Sequence, residues 1–384
     1  MHPKIDILGC GLGGMITALA LANNNIKTTI IEGRCTAHKD FFKDIRTTAL
    51  TSSSRKFFED IGIWNTLSEI AGSINDIYVA DNKAPEMLHF ASDELEHGEI
   101  MGYLVQNSEF KKALFDLVLA NKLITLIEDS SYEITENNSN GCKLVLNNES
   151  ERNCDLLLVC DGQRSKAKQL YFSSEMEKRY DQCAITFIAH HQKKHEGTAV
   201  EHFMKTGPFA ILPLRDQNLS SIVWTIESDM KNAIMNLPKD EFTYLIQQNF
   251  GNFLGKLEIQ GEAASFPLKA YATNQYYNKS IVLVADTAHI IHPLAGQGLN
   301  QGIKDIAVLT SLLRVGGSRE HILQAYQQAR KSDNANMLEI TDIINTVFSN
   351  HSKVLHGLRR VGFQAVENIS PFKKLFIKYA MGKR

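Results

Sequence analysis

Much of what this 384-residue chain could be is excluded by what it lacks. Its apolar runs all stop well short of the roughly 20 residues that cross a bilayer, so any meeting with a membrane is expected from the surface. Residues 4 to 9 already read as structure, and no signal peptide is expected ahead of them. The six cysteines (Cys10, Cys35, Cys142, Cys154, Cys160 and Cys183) form no Cys-x-x-Cys pair and no dense array, which is the usage of reduced thiols in a cytoplasmic protein. Lysine plus arginine number 41 against 43 acidic residues, a formal charge of -2, so there is no general nucleic-acid footprint. No Gly-x-Ser-x-Gly elbow supports a hydrolase. His289 and His292 lie three apart and His190, His191 and His195 cluster, but neither group brings cysteines or carboxylates at ligand spacing; no metal site is expected. Internal repeats and low-complexity segments are also missing.

What is present is a hydrophobic content of 43% and a charged content of 22%, the balance of a soluble enzyme with a sizeable core and, at this length, two domains. The most informative stretch runs from Ile281 to Asn300 and on to Ile306. Ile281-Val-Leu-Val284 reads as a buried strand, and Asp286 follows at its carboxyl end, where ligands of open α/β sheets bind. Pro293, Gly296 and Gly298 make a turn that lets backbone approach a ligand, with Gln297 inside it. From about Leu299 helical spacing begins, so a helix N-terminus, with free N–H groups and partial positive charge, points over the turn.

A second signal opens the chain. Lys4 to Leu8 reads as a strand, Gly9-Cys-Gly11-Leu-Gly13-Gly14 as a GxGxxG turn, and a helix follows. Lys27 to Ile31 forms the next strand and ends at Glu32. In that context the motif is a dinucleotide fingerprint. Gly9 permits the tight turn, Gly11 admits a pyrophosphate, Gly14 lets helix pack on strand, and Glu32 accepts from a ribose. An acid here opposes a 2′-phosphate, so FAD or NAD fits better than NADP. Cys154 to Val159 reads as one more buried strand, ending in Asp161-Gly162, again a carboxylate at a strand's end. Arg46 stands on an apparent loop entering a helix, within Asp44-Ile-Arg-Thr-Thr-Ala-Leu50; an Arg there is otherwise a surface cation or helix-end partner. Gln106 and Asn107, at the end of the strand from Gly102, are candidate ligand contacts; the other reading is a strand-to-helix cap served by Ser108 or Asn107. From Cys183 to Glu227 the period becomes strand-like, marking an antiparallel sheet. Phe209, Ile211, Leu212 and Pro213 there either line a pocket or form sheet core.

Together these strings resemble the FAD-dependent aromatic hydroxylases, single-component flavoprotein monooxygenases. More narrowly they resemble the branch that hydroxylates polyprenylated phenols in ubiquinone biosynthesis (2-octaprenyl-6-methoxyphenol hydroxylase-like). The likeness spans essentially the whole chain. Asp286, Pro293, Gly296, Gly298 and Asn300 stand where the last flavin-contacting motif has them. Ala285 replaces a usual Gly and Thr287 a common Ala, both small, so tighter packing under the ribityl chain is expected rather than loss of flavin. The resemblance implies an α/β, para-hydroxybenzoate hydroxylase-like fold: a Rossmann-like FAD-binding domain (1–75, 98–180 and 265–384) with a discontinuous antiparallel substrate domain (76–97 and 181–264). It implies FAD at Gly9, Gly11, Gly13, Gly14, Glu32, Arg46, Gln106, Asp161, Asp286, Pro293, Gly296, Gln297, Gly298, Leu299 and Asn300.

The activity implied is ring hydroxylation. NADPH or NADH reduces the flavin, O2 adds at its C4a carbon to give a hydroperoxide, and an OH group passes to a lipophilic prenylphenol. With a single GxGxxG unit, the nicotinamide is expected to bind transiently near Asp161. No residue is assignable as acid or base. Three alternatives remain: an isoprenoid reductase, a non-catalytic flavin-bound scaffold in a complex of ubiquinone-biosynthesis proteins, and a hydroxylase of a small soluble aromatic. Pro371 to Arg384 mixes aromatics with five cations and no acid, either a membrane-surface contact or a packed helix with a solvated basic face. The expected location is cytoplasmic, peripheral on the inner face of the membrane.

Overall fold

The structure, a computed structural model, describes residues 3–81, 87–92, 100–147, 149–173, 176–204, 206–292 and 296–348. Pro293 and the basic segment 371–384 lie outside the described residues. Among the described residues no helix is long and apolar enough to cross a membrane.

Four short strands, Ile5–Leu8, Thr28–Ile31, Leu156–Val159 and Ile281–Leu283, are buried at every position. Such runs belong in a parallel sheet covered on both faces. They form the middle of a six-stranded sheet in the order Tyr277–Asn278, Ile281–Leu283, Leu156–Val159, Ile5–Leu8, Thr28–Ile31, Ile124–Ile127. All pairs but the first are parallel, with Ile7 level with Leu158 on one side and Ile30 on the other. Strand order therefore reverses about Ile5–Leu8, and the crevice at a reversal is where ligands bind. Helix Leu12–Asn23 packs on helices Asn107–Ala120 and Gln297–Val315.

Two sequence expectations change. The stretch around Arg46 does not pass from loop to helix, because Thr47–Thr51 pairs antiparallel with Gly102–Gln106 before helix Ser52–Asp60 begins. The strand expected from Cys154 to Val159 is two. Glu151–Cys154 belongs to a three-stranded sheet, and after Asp155 the chain enters the six-stranded one. The N–H groups of both Asp155 and Leu156 donate to the Lys4 carbonyl, which fixes that switch.

An eight-stranded sheet stands beside this unit, ordered His289–Ile290, Leu257–Ala272, Met176–His191, Leu219–Glu227, Gly207–Pro213, Thr198–Met204, Asp76–Asp81, Met87–Ala91. Side chains alternate between its faces. One face carries Ile185, Phe187, Val200, Phe209, Ile211, Ile222 and Trp224, and helix Lys239–Phe250 adds Phe242, Ile246 and Phe250 to the same core. The other face turns toward the first sheet: the Ser221 hydroxyl bonds that of Thr47 at 2.8 Å, and the Arg46 guanidinium lies 5.4 Å from the Phe266 ring centre.

Candidate functional site

Four adjacent parallel strands each release a distinctive residue at their carboxyl ends: Asp286, Asp161, Gly9 and Glu32. All four line one cavity of about 910 Å³. Its wall also includes Gly11, Gly13, Arg46, Thr47, Ala49, Asn107, Gly296, Gly298 and Leu299.

The two glycine turns are dictated by close approach. A Cβ on Gly14 would lie 1.9 Å from the Gly9 carbonyl oxygen, so only glycine lets helix Leu12–Asn23 seat on the first strand. Gly296 has φ +61, and a Cβ there would lie 2.8 Å from that of Ala49. Each turn begins a helix, Leu12–Asn23 and Gln297–Val315. Neither helix has a side-chain cap or an acid in its first turn, so the free N–H groups and positive dipole end of both are left for a ligand.

The charged walls are ordered around these ends. Glu32 Oε2 accepts from the Cys10 N–H at 2.7 Å, while Oε1 accepts from Arg34 N and Nε at 3.1 Å. Arg46 forms a fork on Asp44, with Nε to Oδ1 at 2.9 Å and a terminal nitrogen to Oδ2 at 2.6 Å. Burial works against the Asp44 charge, but Arg46 outweighs it and holds that carboxyl below the ordinary range. Asp286 and Asp161 keep accessible surface, which opens into the cavity rather than onto the outer face. The protein packed around them pushes both carboxyls upward, with His289 and Arg46 pulling Asp286 partly back. Tyr132 donates to Asp161 Oδ2 at 3.1 Å.

Beneath the Asp286 turn lies a buried polar network. Asp305, with no exposed side-chain surface, accepts from Ala285 N at 3.1 Å and meets His289 Nε2 at 2.6 Å on Oδ2. Its Oδ1 accepts from Arg330 Nε at 2.7 Å. Arg330 also donates to Asp333 at 2.6 Å and to Gln301 Oε1 at 2.9 Å. Burial alone would raise the Asp305 carboxyl; His289 and Arg330 more than offset it and hold it low. His289 is thus committed to a carboxylate. Ala285 has φ +55, and the Thr287 hydroxyl accepts from Gly162 N at 3.0 Å, tying the two aspartate turns together.

Of the residues singled out in the sequence, Gly9, Gly11, Gly13, Glu32, Arg46, Asp161, Asp286, Gly296, Gly298 and Leu299 meet at this cavity. Gly14, Gln297 and Asn300 stand behind its wall: Asn300 is buried and ties Thr51 N, Ser54 and the Ala49 and Gly296 carbonyls together. Gln106 faces a smaller pocket with Glu69, Ile70 and Arg215, and its neighbour Asn107 takes the cavity side. Asn107 accepts from the Thr48 hydroxyl and donates to Asp44 rather than capping its helix. Phe209 and Ile211 point into the core on the far face of the large sheet, so they are packing, not pocket wall. Leu212 takes the cavity-side face by alternation, and Pro213 is buried at the strand's end. Sequence reading passed over Asp44 and Lys111 as wall groups; nothing local marks either, because strand pairing and the fold around Phe41 place them.

A parallel sheet with a glycine turn on a helix N-terminus, an acid after the second strand and an antiparallel sheet leaning over the crevice defines a two-sheet flavoprotein of the monooxygenase type. The chain belongs to the family described as FAD binding domain, whose model matches residues 3–341. It is 34% identical over 383 residues to ubiquinone hydroxylase UbiL of Rhodospirillum rubrum, covering 98% of this chain and 89% of that protein. It is 28% identical to 3-demethoxyubiquinol 3-hydroxylase of Escherichia coli, covering 99% and 98%. The fold matches crystalline p-nitrophenol 4-monooxygenase PnpA of Pseudomonas putida with TM-score 0.82 at 12% identity, over 100% of this chain and 99% of that one.

The residues present fit FAD. Gly11 and Gly298 have no atom within 4 Å of where a Cβ would stand, leaving backbone open to a ligand at both helix starts. Glu32 and Gly298 line the same cavity, so the nucleotide and ring ends of one ligand share it.

Proposed function

We propose that this protein is an FAD-dependent monooxygenase that hydroxylates the ring of a polyprenylated phenol on the route to ubiquinone, using NADPH or NADH and O2. The observation that carries the reading is the near full-length likeness to ubiquinone hydroxylases, UbiL foremost, together with a cavity whose walls suit a dinucleotide.

The proposed work of each group follows from its place. Glu32 accepts the adenosine ribose hydroxyls, and the N-terminus of helix Leu12–Asn23, with Gly9, Gly11, Gly13 and Gly14, takes the pyrophosphate. Asp286 and Asp161 flank the chain between pyrophosphate and ring, and Arg46 lies along it. The start of helix Gln297–Val315, with Gly296, Gly298 and Leu299, stabilises negative charge at the ring end, while Gln297 and Asn300 hold that turn in shape. Bound flavin supplies the redox chemistry, taking electrons from the nicotinamide and making O2 reactive toward an electron-rich ring. The eight-stranded sheet closes the ring end from bulk water, which oxygen transfer needs to avoid waste.

The proposed division keeps 1–75, 98–180 and 265–384 with the cofactor and 76–97 with 181–264 over the substrate. The lipophilic substrate brings the protein to the inner membrane surface, with 371–384 as the segment to meet it and other ubiquinone-route proteins as companions.

The test is oxidation of NADPH or NADH by flavin-loaded protein, with and without a short-chain prenylphenol, read by product mass. The expected product carries one added oxygen. Peroxide alone points to the wrong ring; bound FAD without any oxidation supports a scaffold instead.

A further inference from the structure

One carboxylate on the large sheet is left unexplained by the cofactor cavity. Glu201 sits in strand Thr198–Met204, and its register crosses the sheet in a continuous row: Leu88, Val79, Glu201, Ala210, Val223, Thr186, Ala264. This row belongs to the face carrying Ser221 and Phe266, the residues that touch Thr47 and Arg46 at the cavity. The opposite face at the same strands is the filled core of Val200, Ile211, Ile222 and Phe187.

Among the described residues, two polar groups on the row lack partners. No described residue forms a hydrogen bond or ion pair with the Glu201 carboxyl, and burial pushes it up to about 8. The residue nevertheless keeps some accessible surface, so it is half-buried rather than packed solid and can be reached by a ligand. Thr186, 3% exposed, has a hydroxyl with no partner among the described residues. Between them stand Ala210 and Val223, small side chains that leave a flat apolar floor. The Glu201 strand lies two strands, about 10 Å, beyond that of Ser221. A buried hydroxyl without a partner costs stability, and the unpartnered Thr186 shares one flat row with the half-buried Glu201 carboxyl on the face turned to the cofactor side, which calls for a ligand that satisfies both.

We propose that Glu201 is the substrate-recognition residue of this enzyme, bonding the hydroxyl of the phenol ring as the ring lies on Ala210 and Val223. The assignment rests on the prenylphenol reading above. A neutral carboxyl offers one O–H donor and one carbonyl acceptor, the complement of a phenol O–H. Carbon substituents and ethers cannot return both bonds. Thr186 meets polar substituents at the edge of the ring nearer the cofactor. A site built to bond a hydroxyl rejects analogues without one, because its own polar group is then stranded.

The test compares a short-chain prenylphenol with its O-methyl ether on FAD-loaded wild type, Glu201→Gln and Glu201→Leu. Binding is read from the visible spectrum of bound flavin, turnover from product, and folding from Tm. Wild type is expected to bind the phenol and disfavour the ether. Glu201→Leu should weaken phenol binding and kcat/KM about 10- to 100-fold, leave the ether nearly unchanged and so lose the discrimination. Glu201→Gln, with a donor and an acceptor retained, should keep most of the preference. Tm should not fall in either variant, since the carboxyl removed is half-buried and has no partner among the described residues. Phenol binding without turnover in wild type would overturn the hydroxylase reading yet leave this one standing. Unchanged discrimination in Glu201→Leu, or a loss of phenol binding accompanied by lower Tm and lost FAD, would overturn the role of Glu201, as would a wild type that does not bind the phenol.

Discussion

Two carboxylates, the buried Asp305 and the half-buried Glu201, are treated in opposite ways. Asp305, under the Asp286 turn, is surrounded by His289, Arg330, Asn334 and the Ala285 N–H, and its carboxyl is held low. Glu201, on the large sheet, has no described partner and is pushed high. A buried charge with a full set of partners organises structure, and removing one partner exposes the cost of the rest. A half-buried acid without a described partner stabilises nothing by itself, and the phenol proposed above would give it one. The cofactor end is therefore a frame completed by the protein, and on the proposal above the substrate face is a surface completed by its ligand.

The largest expected effect breaks that frame. Asp305→Ala strands Arg330 and His289 in the interior and frees the Ala285 N–H, which should cost about 3–5 kcal/mol. Thermal unfolding followed by flavin fluorescence should show a much lower Tm with early flavin release. The sign with pH follows from the lowered carboxyl. Its contribution is complete above the ordinary carboxylate range and disappears as pH falls through the folded value, so wild type and variant should converge in acid. A gap that widened in acid would mean that the network does not rest on the Asp305 charge.

An intermediate effect sharpens the contrast between cofactor and substrate faces. Glu32→Ala loses the acceptor of the Cys10 N–H and the proposed ribose contact, and FAD affinity should fall about 10- to 100-fold while far-UV circular dichroism is unchanged. Flavin retention through gel filtration and fluorescence titration measure it; undiminished affinity would remove Glu32 from the cofactor site. This half of the site was legible in the sequence for a physical reason. The strand-end groups lie within three residues of a buried parallel strand, so sequence neighbours are also neighbours in space: Gly9 after Leu8, Glu32 after Ile31, Asp161 after Val159 and Asp286 after Leu283. The substrate face has no such locality. Its row takes one residue from each of seven strands, and alternation separates two faces without saying which one packs on helix Lys239–Phe250. Phe209 and Ile211 were open on that point from sequence alone, and only the core formed with Phe242 and Ile246 decides it. Arg46 was legible as a residue but not as a conformation, because pairing of Thr47–Thr51 with Gly102–Gln106 is a long-range fact.

The smallest effect concerns the departure of Ala285 from glycine. Its φ of +55 is a region where an L side chain costs about 1–2 kcal/mol, so Ala285→Gly relieves strain. Against that, the Ala285 methyl fills the notch between Gly13 and Gly302, where added Cβ atoms would lie 3.3 and 2.7 Å from it. Losing a buried methyl costs about 0.8 kcal/mol, and a freer unfolded chain costs about 0.4–1 kcal/mol more. The opposing effects nearly cancel, so Tm should move by no more than a few degrees and FAD affinity should hold. Asp305 already fixes the turn through the Ala285 N–H, so exchanging alanine for glycine there should leave the turn in place. A large loss of FAD in Ala285→Gly would transfer that role from the Asp305 bond to the methyl wedge, and would make the frame at the cofactor end a matter of packing rather than of paired charge.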